Sequence, residues 1–63
     1  MLNSCKQSLL RYVVMADYHG NRVNAGEQNT IHEMMEYLDS HMFRSQYTNG
    51  QVFEQTNRGW QVV

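Results

Sequence analysis

The stretch LLRYVVMADY, Leu9 to Tyr18, decides what kind of fold this chain of 63 residues adopts. It is dense in β-branched and aromatic residues and apolar at both parities, as a central strand would be. His19-Gly20-Asn21 then supplies a turn into a short return strand, Arg22-Val23-Asn24-Ala25. The rival reading is a helix starting at Ser4, where Ser4 and Gln7 have the spacing of a capping box and His19-Gly20 would be the C-terminal stop. Strand is the favoured reading, because Tyr-Val-Val makes a poor helix interior.

Further along, TIHEMMEYLDSHMF (Thr30 to Phe43) has the opposite character. At 100° per residue, Ile31, Met34, Met35, Leu38 and Met42 fall within an arc of about 100°, with Glu33, Glu36 and Ser40 opposite. Thr30 followed three residues later by Glu33 marks the start, since hydroxyl and carboxylate can satisfy the first free amides. The spacing predicts one amphipathic helix over 30–45, stopped before Asn49-Gly50 and preceded by a linker, Gly26-Glu27-Gln28-Asn29. Its stripe of Ile, Leu and Met is expected to be core, packed against Tyr12, Val14, Phe53 and Trp60. Met also lines adaptable binding surfaces, so the alternative is an outward-facing stripe.

Residues 51–63 read as a C-terminal hairpin around Thr56-Asn57-Arg58-Gly59. With Gln55 opposite Trp60, Phe53 opposes Val62, and Phe53, Trp60 and Val62 share one face while Glu54 and Gln61 share the other. A slip of one residue would mix Glu54 with Val62, which selects this register. The expected fold is α+β: a small single-layer antiparallel sheet, β-β-α-β-β, with one amphipathic helix packed on one face. Residues 1–63 would form a single domain, with residues 1–7 as a mobile N-terminus. One sheet face then lacks a second layer, a natural place for another copy or another protein.

Composition narrows the function classes. Hydrophobic residues make up 41% and charged residues 17%, a globular balance despite a mean hydropathy of −0.66. A domain of this size buries only about 60% of its unfolded surface, so its core is small. The single cysteine, Cys5, cannot form an internal disulfide, which favours a reducing compartment. No apolar run is long enough to cross a bilayer and MLNSCK lacks the pattern of a secretory signal, so a cytoplasmic location without membrane contact is expected. Net charge is −1, and Lys6, Arg11, Arg22, Arg44 and Arg58 are scattered, a weak electrostatic case for nucleic acid.

Candidate chemistry is sparse. His32-Glu33-Met34-Met35-Glu36 departs from the zinc-binding H-E-x-x-H pattern, having Glu36 where the second His belongs, and reads best as a solvated pair one turn apart. His41 at the stripe border and His19 before the turn are most simply structural. Nothing fixes Cys5 beside a base. No Gly-rich phosphate loop, Cys-x-x-Cys or G-x-S-x-G is present, so neither catalytic residues nor metal nor cofactor are expected, and the chain is not read as an enzyme.

A binding module is the function this leaves: a small protein that occludes a surface of a larger one, alone or as a homodimer through its sheet. By analogy of size alone, small inhibitors of phages and mobile elements work this way. The expected contact residues are Glu33, Glu36 and Asp39 on the acidic helix face, Tyr37 at its edge and Arg58 at the hairpin tip. An acidic face suits a basic, nucleic-acid-binding partner. The alternative is a winged-helix-like nucleic-acid-binding regulator with Arg58 on the phosphate backbone, which requires Ser4 to Tyr18 to be helical.

Overall fold

The computed structural model describes residues 11–63. A helix start at Ser4, the behaviour of residues 1–7 and any role of Cys5 lie outside the described residues. The element order is β1 (Tyr12–Tyr18), β2 (Asn21–Gln28), α1 (Ile31–Leu38), α2 (His41–Gln46), β3 (Thr48–Thr56) and β4 (Gly59–Val62). One antiparallel sheet, ordered β2-β1-β3-β4, carries both helices against one face, a small α+β fold.

The stretch Tyr12–Tyr18 is a strand, and a central one. Pairing with β2 on one side and β3 on the other satisfies its backbone on both edges, which suits a run of branched side chains. The winged-helix layout, which needed a helix here, is therefore not the one this chain adopts. His19 and Gly20 both have positive φ (52° and 85°) between the paired Tyr18 and Asn21, a two-residue turn whose twist matches that of its strands.

β2 continues to Gln28, which corrects the expected linker over 26–29. The reason is a bulge. Val14 pairs with Gly26 and Met15 with Asn24, leaving Ala25 as the extra residue. Asn24 Oδ1 accepts the Gly26 N–H at 3.0 Å, so this polar run braces the bulge and rejoins the ladder instead of forming a loop.

The helix expected over 30–45 is two helices. Thr30 caps α1, as its spacing to Glu33 predicts: its Oγ1 accepts the Glu33 N–H at 3.1 Å, while the Glu33 carboxylate accepts the Thr30 hydroxyl rather than a backbone amide. Asp39 ends α1, and Ser40, in extended conformation, starts α2 by accepting the Phe43 N–H on its Oγ. Asp and Ser compete for backbone hydrogen bonds, which favours them at such ends. The break re-aims α2, so that Phe43 turns inward and Met42 outward.

The core consists of Val14, Ala16, Ala25, Met34 and Phe43, fringed by Tyr12, Tyr37, Leu38, Tyr47 and Val52. Only part of the methionine stripe is consumed. Met34 is fully buried and Leu38 half-buried, whereas Met35 is 56% and Met42 64% exposed, and Ile31 is exposed too. Two glycines admit the helices. A Cβ on Gly26 would lie 2.6 Å from the Tyr37 ring, and one on Gly50 would lie 3.0 Å from the Phe43 ring. Small residues where the helices land bring them close to the sheet, and that closeness leaves room for few side chains between the layers.

Candidate protein-binding face

Alternation along the strands sends Val14 and Ala16 toward the helices and Val13 and Met15 away from them. Across the ladder, Val13 meets Phe53, Phe53 meets Val62, and Gln55 meets Trp60, the hairpin register expected from the sequence. Phe53 and Trp60 do not lie under the helix, where the stripe was expected to meet them. They stand on the opposite face, because Val52, opposite Val14, supplies the core contact of β3.

Val13, Met15, Asn24, Glu27, Phe53 and Trp60 line a shallow depression on this face. No second layer covers it among the described residues. Trp60 is 50% and Val62 57% exposed, while Val13, Met15 and Phe53 are half-buried by one another. A contiguous apolar patch rimmed by polar side chains is the usual mark of an interaction surface. Trp60 supplies a large anchor with a polar N–H at its edge.

One end of the same face is closed by a polar cluster. Asp17 accepts Asn49 Nδ2 at 2.9 Å and Arg22 Nη1 at 3.1 Å, and Arg22 also donates to the Asn49 carbonyl at 2.6 Å. Asn49 has φ of 55° at a bulge between β1 and β3, so the cluster fastens a conformation that a non-glycine residue rarely adopts. The Asn49 amide first, and Arg22 second, hold the Asp17 carboxyl below its ordinary value. A depressed folded-state value adds stability above the unfolded one, lost as pH falls from about 4 through the lowered value. Asp17→Asn should accordingly flatten the acid limb of the stability profile, measured by urea melts at neutral pH and in steps below pH 4. An unchanged acid limb would refute the role given to this cluster.

The expected contact residues fall elsewhere. Glu33 is engaged by its own cap, Glu36 Oε2 lies 3.1 Å from His32 Nε2, and Asp39 lies 3.5 Å from Arg44 Nη1. All three acidic residues sit on the helical layer, on the far side of the sheet from the apolar face. Tyr37 is directed inward, its hydroxyl donating to the Ala25 carbonyl at 2.5 Å. Arg58 stands exposed at the hairpin tip, where Thr56 Oγ1 accepts its N–H at 3.1 Å. The three acidic residues stay together, exposed, on the helical layer, whereas Tyr37 points into the core and Arg58 stands apart at the hairpin tip, so the five do not form one surface.

Val13 and Met15 are not singled out by sequence reasoning, although the double-sided apolar pattern of β1 is their signal. Among the described residues, no group of three or more His, Cys, Asp or Glu could hold a metal ion. No helix there is long and apolar enough to cross a membrane. Compared with family models, curated proteins and solved structures, the chain matches none.

Proposed function

We propose that this chain is a non-enzymatic protein-binding module that acts by covering part of a larger protein, in the manner of a small inhibitor. The observation that carries this reading is the apolar sheet face of Val13, Met15, Phe53, Trp60 and Val62 with nothing of the described residues packed over it. Interfaces concentrate binding energy in a few aromatic anchors set among apolar neighbours, and Trp60 beside Phe53 has that form. Asn24, Glu27, Gln51 and Gln55 rim the patch and offer hydrogen bonds at its border. The reading moves the contact surface from the acidic helix face to the sheet.

The test uses the immobilised full chain against a lysate of its source cells, followed by titration calorimetry with the recovered protein. Trp60→Ala should weaken binding by about 2 kcal/mol, roughly 30-fold, as an anchor residue does. Because Trp60 is half exposed in the free protein, the fold should survive, as checked by circular dichroism. Recovery of no stoichiometric partner, or equal affinity in the variant, would overturn the proposal.

A further inference from the structure

We propose that the outer edge of β4 pairs antiparallel with β4 of a second copy, joining two sheets into one of double width. The two edges of the sheet differ in a way that points to this. β2, at one edge, carries the Ala25 bulge and the charged Arg22 and Glu27, devices that discourage strand addition. β4, at the other, reads Gly-Trp-Gln-Val with no charge, no proline and no bulge. With no strand paired to it among the described residues, an edge of this composition is a template for another strand.

The hydrogen-bond pattern fixes which groups are on offer. The Val63 N–H donates to the Val52 carbonyl, and the Gln55 N–H donates away from β4, to the Arg11 carbonyl. By antiparallel alternation, Gly59, Gln61 and Val63 bond to β3, whereas the N–H and C=O of Trp60 and Val62 point outward. Each copy thus presents two donors and two acceptors. If Trp60 faces Val62 of the second copy, all of them are used, giving four main-chain hydrogen bonds about a two-fold axis through Gln61. That register also sets each Trp60 indole beside the other copy's Val62 on the uncovered face, an apolar cross-strand pair. Shifted registers leave part of these groups without a strand partner, so the edge is complementary to itself.

Such a contact is small beside the interface of a permanent dimer, so association should depend on concentration. Its consequence is to merge two apolar faces into one platform, a point that rests on the function proposed above, whereas the pairing does not. Across the two-fold axis the Gln61 Cα atoms would stand about 4.5 Å apart, within reach of a disulfide.

The full chain carrying Cys5→Ser and Gln61→Cys should therefore cross-link quantitatively on oxidation, while Cys5→Ser with Glu27→Cys on the other edge should not. In sedimentation, the native chain should approach twice its monomer mass as concentration rises. Gln61→Lys, which sets like charges face to face across the two-fold axis while placing an opposite charge beside Glu54 within the hairpin, should weaken association at least ten-fold without loss of secondary structure. Should that variant unfold, Val62→Pro removes one outward N–H and spares the ladder to β3. A native chain that stays monomeric to millimolar concentration, or equal cross-linking at both edges, would overturn the pairing. A monomer whose partner binding is still lost on Trp60→Ala would sink the pairing alone. A dimer that binds no other protein would sink the functional reading alone.

Discussion

Met34→Ala should lower the unfolding free energy by about 2–5 kcal/mol, the usual cost of emptying a fully enclosed methionine site. For a domain of this length the whole margin is commonly a few kcal/mol, so the variant should be largely unfolded at 37 °C. Among the described residues Met34 is the largest side chain with no exposure, and it joins α1 to Val14, Ala16 and Ala25 in the sheet. Its neighbour gives the control. Met35, the next residue on the same stripe, is more than half exposed, and Met35→Ala should stay within about 0.5 kcal/mol. Urea melts of the two variants measure the contrast directly. Equal losses would mean that the helix is seated differently on the sheet.

The second large effect is expected from adding one methyl group. Gly26→Ala places a Cβ 2.6 Å from Tyr37 Cε2 and 3.1 Å from Cζ, so the ring must leave its seat. The ring is also packed against Phe43, with centroids 5.2 Å apart in an edge contact, so moving it disturbs a second aromatic of the core. Overpacking of this kind costs about 1–3 kcal/mol, and displacement also breaks the hydroxyl bond to the Ala25 carbonyl. Ionisation of Tyr37 reports the same event independently. Burial first, and the neighbouring Tyr47 second, raise its phenol above the ordinary value. A raised folded-state value means that stability is complete below the unfolded value near pH 10 and is lost as pH rises through the folded one. In Gly26→Ala the Tyr37 titration should fall back toward the ordinary range. A full-strength fold with Tyr37 still raised would contradict the account of how α1 is held.

These two sites also separate what is local in this protein from what is not. Period and propensity over Tyr12–Tyr18, the Thr30 cap and the Gln55–Trp60 register are set by neighbours a few residues apart, and each is legible in the chain. The Ser40 break is legible too, as an Asp-Ser pair inside a helical pattern, but periodicity alone runs straight through it. The bulge at Ala25 is not, since its cause is the pairing of β2 with a distant β1 residue.

The apolar sheet face divides the same way. Which residues of the hairpin share a face follows from alternation by two, and the sequence by itself determined that Phe53, Trp60 and Val62 stand together. Whether that face meets the helices or is left uncovered depends on where α1 and α2 land. That was decided only in three dimensions, by the close seats at Gly26 and Gly50 and by Val14 and Ala16 on the facing side. A strand that is apolar at both parities offers the helices two faces, and only the packing of all the layers together selects one of them.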